Sequence, residues 1–267
     1  MRHIPLDDLL STVFTEPDGK TAKIRLDRAH KKLAKMPPTL RNAHIRRNGP
    51  NKWKPIKDRL THQLGRICWY TEVEVIGAPL AIDHYRPVCS YWWLAYDARN
   101  YRIACSWANS AEHNALHGSA GGKGDNFPLL PPAQIATQKN ELQNETPLIL
   151  DPCNEEDCGL LAFQVDGRPI LNPNFLGDTV AENRVEQSMI LLNIDHPDFN
   201  TKREQLCNAI REDVENHEEL PIDSPSRIVI RDRLKSRLAA SSGFSTAARF
   251  YLQLHRYLDW VEDILHA

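Results

Sequence analysis

The chain has 267 residues, of which 41% are hydrophobic and 25% are charged. This is ordinary globular usage in a chain long enough to bury a real core, so a wholly disordered, collagenous or fibrous protein is excluded. The apolar runs are too short to span a bilayer and none follows the first basic residue, so we expect no membrane segment and no signal peptide. Six cysteines in a chain of this length indicate reduced thiols in a cytoplasm and argue against a disulfide scaffold.

Charge is distributed unevenly, although the net charge is only −2. Residues 1–70 hold 16 Lys and Arg against 6 Asp and Glu, a charge of +10, whereas residues 141–220 hold 5 against 18, a charge of −13. The basic quarter fits either a nucleic-acid footprint or a solvated basic helix. The acidic block fits either a surface for a basic partner or an ordinary solvated surface.

Secondary structure is predicted from apolar periodicity, from β-branched and aromatic runs, and from Gly and Pro. The predicted elements, in chain order, are helices over 19–36 and 53–63, a strand or hairpin over 66–82, a strand over 101–105, a helix over 107–117, a loop over 118–133, short extended pieces within 147–176, helices over 179–195 and 199–219, and an interrupted helical stretch over 226–266. In the last helix Ser245 is the expected cap, and Phe250, Leu254, Tyr257 and Val261 are expected to share one face.

One region carries residues suited to phosphodiester hydrolysis. Asp83 and His84 end a predicted strand, Asn100 follows 16 positions after His84, and Asn109 follows nine positions later. The reaction needs a base to activate water and a divalent ion to stabilise charge on the phosphate, and an Asp-His pair can serve both needs. Asn109 and His113 are four positions apart, so on a helix they would lie on one face and could face the same ion.

These residues, with Asn109 in place of a final histidine, resemble the HNH endonucleases, the ββα-metal group. The neighbouring motifs narrow the resemblance to the HNH nucleases of the Septu and retron-associated anti-phage systems (the PtuB type), over roughly residues 50–205. The motifs that carry it, in order, are Cys68-Trp-Tyr-Thr-Glu72, Asp83-His-Tyr-Arg-Pro87, Tyr91-Trp-Trp-Leu-Ala-Tyr96, Lys123-Gly-Asp-Asn-Phe-Pro128 and Leu150-Asp-Pro152.

The resemblance implies a role for each matching residue. His84 would be the general base, and Asn100 would brace the loop that orients it. Asp83 and Asn109 would ligate the catalytic divalent ion, Mg²⁺ or Mn²⁺. His113 is either a further ligand or an exposed helix residue.

Basic side chains are predicted to contact DNA phosphates, the alternative for each being an ordinary solvated surface residue. They are Arg86 and Lys123 in the core region and Lys31, Lys32, Lys35, Arg46 and Arg47 in the basic N-terminal stretch.

Many HNH proteins bind a structural zinc ion through two Cys-x-x-Cys pairs. The corresponding positions here are Cys68 with Thr71 and Cys105 with Ala108, so half of each pair is missing. Because a structural zinc site needs four ligands, we expect no zinc there and expect the two thiols to be buried as small hydrophobes.

The expected architecture is an α+β fold in which a ββα-metal (HNH) core is surrounded by N- and C-terminal helices. The predicted regions are a basic helical one over 1–65, the nuclease core with appended strands over 66–176, and a helical one over 177–267. The resemblance implies a metal-dependent DNA endonuclease, a cytoplasmic effector of bacterial anti-phage defence whose partner is an ABC-type (PtuA-like) ATPase. The alternatives are a non-catalytic nucleic-acid-binding or adaptor protein with an HNH shell, and a stand-alone restriction-type HNH nuclease.

Overall fold

The computed structural model describes residues 1–266. These residues contain eleven α-helices and six short strands. The helices are α1 (Leu6–Thr15), α2 (Pro17–Ala34), α3 (Pro38–Asn48), α4 (Pro50–Leu64), α5 (Ser106–Asn109), α6 (Glu155–Gly159), α7 (Thr179–Leu192), α8 (Pro197–Glu219), α9 (Pro225–Leu238), α10 (Ser245–Gln253) and α11 (Asp259–His266). The strands are β1 (Ala81–His84), β2 (Tyr101–Ala104), β3 (Glu112–Asn114), β4 (Ser119–Gly121), β5 (Leu161–Phe163) and β6 (Pro169–Leu171). They pair as three antiparallel two-stranded sheets, β1–β2, β3–β4 and β5–β6. This mixture agrees with the predicted α+β class.

The basic N-terminal helices pack through narrow apolar stripes. Helix α2 buries Ala22, Leu26, Ala29 and Leu33, which recur every three or four residues, and its lysines lie on the opposite face. Pro38 then begins α3 as its first residue, where a missing N–H costs no helical hydrogen bond. The helix predicted over 19–36 is therefore confirmed.

The β1–β2 hairpin presents the Asp-His pair. Asp83 lies opposite Arg102 and His84 opposite Tyr101. The guanidinium of Arg102 donates two hydrogen bonds of 2.6 Å to the carboxylate of Asp151, so Asp151 ties β2 to the segment before α6. Of the stretch predicted as a strand or hairpin over 66–82, residues 66–75 form a tight antiparallel turn around the Ile67–Glu74 bridge, and only the end of the stretch enters β1.

The helix predicted over 107–117 is wrong, because α5 ends at Asn109. The carbonyl of Trp107, which a longer helix would use, accepts a hydrogen bond of 2.7 Å from the side chain of Asn193. The next two carbonyls, of Ala108 and Asn109, accept from the backbone N–H groups of residues 123 and 124. With these three acceptors occupied, the chain leaves the helix and forms the β3–β4 hairpin.

The C-terminal helices α7 to α11 complete a single hydrophobic cluster with buried residues from all three predicted regions. The expected cap Ser245 does not cap α10, since its hydroxyl donates to the carboxylate of Glu72 at 3.2 Å. The expected apolar face is also interrupted, because the helix breaks after Gln253 and Tyr257 is 75% exposed. Within residues 1–266 no helix combines the length and the apolar character needed to cross a bilayer.

Candidate functional site

The imidazole of His84 is held in one orientation at the end of β1. Its Nε2 lies 3.0 Å from the carbonyl oxygen of Ala95, which can only accept, so Nε2 carries the proton and Nδ1 keeps its lone pair. Trp53 and Tyr101 pack edge-on against the ring, with centroids 4.8 and 5.1 Å away. Burial lowers the pKa of His84 to about 4, although the hydrogen bond to Ala95 and the charge of Asp83 oppose this effect. His84 is therefore neutral near pH 7 and can accept a proton at Nδ1.

Asp83, Tyr70 and Lys123 form a buried cluster beside His84, which we call the Asp83 cluster. The Tyr70 hydroxyl donates to Oδ2 of Asp83 at 2.6 Å, and the Lys123 ammonium donates to Oδ1 at 3.0 Å. The same ammonium donates to the carbonyl of His84 at 2.8 Å and lies 3.4 Å from the carbonyl of Gly124. Asp83 is 4% exposed and Lys123 is 0% exposed. Both oxygens of the carboxylate are thus engaged by side chains that are closed to solvent.

Two glycines shape the turn that inserts Lys123. Gly122 and Gly124 have φ of +95° and +48°, in the left-handed region that favours glycine. A Cβ at Gly122 would lie 1.7 Å from the carbonyl oxygen of Ser110, so no other residue fits. The Lys123 N–H donates to Ala108 of α5 at 2.9 Å. The phosphate contact predicted for Lys123 on the surface is therefore wrong, because the side chain is buried against Asp83.

Asn100 clamps the chain that leaves His84. Its Oδ1 accepts from the Arg86 N–H and its Nδ2 donates to the Arg86 carbonyl, both at 2.9 Å. The Tyr85 N–H donates to the backbone carbonyl of Asn100, also at 2.9 Å. Asn100 therefore makes the kind of loop-bracing contact expected of it.

Asn109 and His113 do not share a helix face, contrary to the prediction. Asn109 ends α5, whereas His113 lies on β3 with an exposed ring, so the helical spacing that made it a candidate ligand is absent. The carboxamide of Asn109 makes no hydrogen bond with residues 1–266, and its backbone carbonyl accepts from the Gly124 N–H at 3.2 Å. Asn109 therefore borders the Lys123 turn, and His113 does not belong to the same element.

The predicted DNA contacts fall into two groups. Lys31, Lys32 and Lys35 are exposed at the end of α2 and just after it. Arg86 is instead engaged in an ion pair, since its Nε donates to the carboxylate of Glu145 at 2.7 Å. The predicted contacts that are free to meet a phosphate are therefore the three lysines and the exposed Arg46 and Arg47 on α3.

An exposed ion pair lies near His84 and joins the turn that carries Asp125 to the basic helix α3. Nη2 of Arg46, on α3, lies 3.4 Å from Oδ2 of Asp125, and both side chains are more than half exposed. Asp125 is near enough to act on the pKa of His84, which its negative charge raises against the larger effect of burial. Sequence reasoning missed Asp125, and its place in the Lys123-Gly-Asp-Asn motif was the only available signal.

The positions of the incomplete zinc pairs do converge in space, and we call Cys68, Thr71, Cys105 and Ala108 the cysteine cluster. The thiols of Cys68 and Cys105 lie close enough for each to act on the pKa of the other, and the Cys105 sulfur lies 3.9 Å from the Thr71 hydroxyl oxygen. Both cysteines are buried, as predicted. The neighbouring Cys68 thiol, together with burial, raises the pKa of the Cys105 thiol, which favours the neutral form.

The donors around Asp83 do not fit a divalent ion in this arrangement. Each oxygen of Asp83 already has a donor, and one of the donors is a cation. Among residues 1–266 no group of three or more His, Cys, Asp or Glu side chains is arranged to hold a metal ion. The side chains of the predicted ligands Asn109 and His113 have no hydrogen-bond partner within residues 1–266, and of the two only Asn109 borders the Lys123 turn.

Comparison of the chain with protein-family models and with curated proteins finds no match.

Proposed function

We propose that this chain is an HNH-type DNA endonuclease, a cytoplasmic effector of bacterial anti-phage defence that works with an ABC-type ATPase. The observation that carries the proposal is the state of His84. Its imidazole is neutral, fixed through Nε2, and has a lone pair at Nδ1, while Asn100 clamps the loop that follows it. A general base needs this combination of a fixed ring and an available lone pair. The ordered sequence motifs support the same class.

In the proposed reaction, Nδ1 of His84 takes a proton from a water molecule whose oxygen attacks the phosphorus. The bond from phosphorus to the leaving deoxyribose oxygen then breaks, and this oxygen takes a proton from solvent water to leave as an alcohol. Because burial lowers the pKa of His84 to about 4, nearly all molecules carry the neutral base at pH 7. The same low pKa makes His84 a weak base, so the barrier must also be lowered by positive charge near the phosphate.

The basic helices α2 and α3 are the proposed DNA surface. The Arg46–Asp125 pair connects α3 to the turn beside His84, and Arg47 is exposed on the same helix. Further along the backbone of the bound DNA, Lys31, Lys32 and Lys35 would add phosphate contacts. Such contacts release counterions, so the proposed binding weakens steeply with salt.

A divalent ion, Mg²⁺ or Mn²⁺, belongs to the proposal because the resemblance implies it. When bound, such an ion would supply Lewis acidity at the phosphate. The resemblance assigns this ion to Asp83 and Asn109, but Asp83 does not fit it in this arrangement. Since Asp83 is engaged by Tyr70 and Lys123, no step of the reaction above is routed through the ion.

A second candidate function is a non-catalytic nucleic-acid-binding or adaptor protein that keeps an HNH shell. The observation that favours it is the closed Asp83 cluster, in which the expected metal ligand is neutralised by a buried lysine. The two candidates differ in whether His84 matters for cleavage or only for the fold.

Cleavage of a supercoiled plasmid tests the proposal. The wild-type chain is assayed with Mg²⁺, Mn²⁺ or EDTA, alone and with the product of the adjacent gene. His84→Ala is the test variant, and His113→Ala is the matched control because its ring is exposed on β3. We expect nicked or linear plasmid from the wild type and the control but not from His84→Ala. DNA binding without cleavage under every condition would favour the adaptor.

A further inference from the structure

Three oxygen atoms surround the ammonium of Lys123, which is the cation of this site. Its Nζ is 3.0 Å from Oδ1 of Asp83, 2.8 Å from the carbonyl of His84 and 3.4 Å from the carbonyl of Gly124. A lysine ammonium has three donors and no acceptor, so these three oxygens account for all of them. The side chain is 0% exposed, so no water molecule completes the set.

The backbone holds Lys123 in this place. Its own N–H is bonded to Ala108, and the N–H groups of Gly122 and Gly124 are bonded to Leu191 and Asn109. The positive φ values at both glycines allow the sharp turn between these anchors. The position of the ammonium is therefore imposed by the fold and does not depend on the freedom of a surface lysine.

A divalent ion on Asp83 would need the same space. Mg²⁺ binds oxygen at about 2.0–2.1 Å and demands near-octahedral geometry. An ion bound to Oδ1 of Asp83 and to the His84 carbonyl would overlap the Lys123 ammonium, and the two positive charges would repel each other. The other oxygen, Oδ2, is held by the Tyr70 hydroxyl at 2.6 Å.

We infer that Lys123 is the resident cation of this site: its ammonium fills the position that a divalent ion would take on Asp83, and it keeps such an ion off this carboxylate. The inference concerns which cation Asp83 binds, so it can be tested independently of the proposed cleavage of DNA. A nuclease built on His84 would then bind a divalent ion through other donors, or only after Lys123 has withdrawn.

Binding of Mn²⁺ to the full chain without DNA tests the inference, with electron paramagnetic resonance counting free Mn²⁺. The proteins compared are the wild type, Asp83→Asn, Lys123→Met, the double variant with both changes, and Lys23→Met as a control at an exposed lysine. Methionine keeps the length of the apolar stem but removes the charge. Asparagine keeps the shape of the aspartate and can still accept from Lys123.

We expect the wild type, Asp83→Asn and Lys23→Met to bind the same amount of Mn²⁺. Lys123→Met should bind one more ion per chain, and the double variant should lose it again. Thermal unfolding provides a second readout: the melting temperature of Lys123→Met should fall, and Mn²⁺ should restore it in this variant but not in the double variant.

Two results would overturn the inference. One is Mn²⁺ bound by the wild type and lost in folded Asp83→Asn, which would place a divalent ion on Asp83 beside Lys123. The other is folded Lys123→Met that gains no Mn²⁺, because the vacated position would then not be a cation site. Should Lys123→Met fail to fold, the comparison of the wild type with Asp83→Asn decides alone.

Discussion

The Asp83 cluster and the cysteine cluster lie at the two positions that, by the resemblance to HNH proteins, correspond to metal sites. Different chemical groups occupy the two positions. In the Asp83 cluster a carboxylate meets an ammonium and a phenol. In the cysteine cluster two thiols lie beside a hydroxyl. The first cluster therefore buries a carboxylate beside an ammonium, and the second buries two thiols beside a hydroxyl.

The difference shows how the cost of burial decides which residues a site needs. A buried carboxylate without a partner is costly, so Asp83 requires both donors, and removing one partner of a buried pair costs about 3–5 kcal/mol. A thiol behaves as a small hydrophobe and can stay buried with only weak contacts. The cysteine cluster can thus serve as packing, whereas the Asp83 cluster fixes the groups around His84.

The largest expected effect separates the two clusters by activity. His84→Ala should lower plasmid cleavage by about 10²- to 10⁴-fold, the usual contribution of a general base. Cys105→Ala should leave cleavage near the wild-type level, because among residues 1–266 no hydrogen bond joins its thiol to His84 or to the Asp83 cluster. Circular dichroism checks that both variants fold. Equal loss in both variants would mean that the clusters do not differ in function.

The next effect separates them by pH. Burial lowers the pKa of His84 from 6.5 to about 4, so between these values the unfolded state binds more protons and stability falls as the pH falls. The loss of unfolding free energy from pH 7 to pH 4 should be about 3 kcal/mol from this group. Urea unfolding should show this loss in the wild type and in Cys105→Ala, because the raised pKa of the Cys105 thiol keeps its titration outside this pH range, but not in His84→Gln. If the unfolding free energies of all three proteins changed with pH in parallel, the lowered pKa of His84 would be refuted.

Completing the cysteine pairs should convert the second cluster into a zinc site. The double variant Thr71→Cys with Ala108→Cys gives two Cys-x-x-Cys pairs at positions that already converge. Zinc at 100 times its dissociation constant should then stabilise the variant by about 2.7 kcal/mol, measured by thermal unfolding. The control variant Thr71→Ser with Ala108→Ser should not be stabilised by zinc. No response in the cysteine variant would show that the four positions do not form a tetrahedron.

The smallest expected effect tests which cluster faces DNA. Arg46 pairs with Asp125, whose charge acts on His84, whereas Lys202 lines the same cavity as Cys105. Arg46→Glu should weaken DNA binding and reduce the dependence of log affinity on log salt by about one unit, as the loss of one phosphate contact predicts. Lys202→Glu should leave the slope unchanged. Fluorescence anisotropy at several salt concentrations measures both, and the reverse result would place DNA on the other side.

Elements that depend on neighbours along the chain were predicted from the sequence. Helix α2 follows from apolar residues at helical spacing and ends before Pro37-Pro38. Strand β2 follows from its aromatic and β-branched residues, whereas the clamp of Asn100 on the backbone of Arg86 was expected only from the HNH resemblance. For α2 and β2 the signal lies within about twenty residues, where periodicity and turn chemistry act directly.

Contacts between distant segments were decided only by the tertiary structure. Lys123 meets Asp83 from 40 positions away, and Asn193 ends α5 from 86 positions away. A buried polar group left without a partner costs about 1–3 kcal/mol, so the fold must supply one from whichever segment lies close. The sequence by itself determined which residue types would be present at the site and which local elements would carry them. The tertiary structure decided that the carboxylate of Asp83 binds an ammonium, because pairing that buried charge depends on position in space and leaves no periodic pattern in the chain.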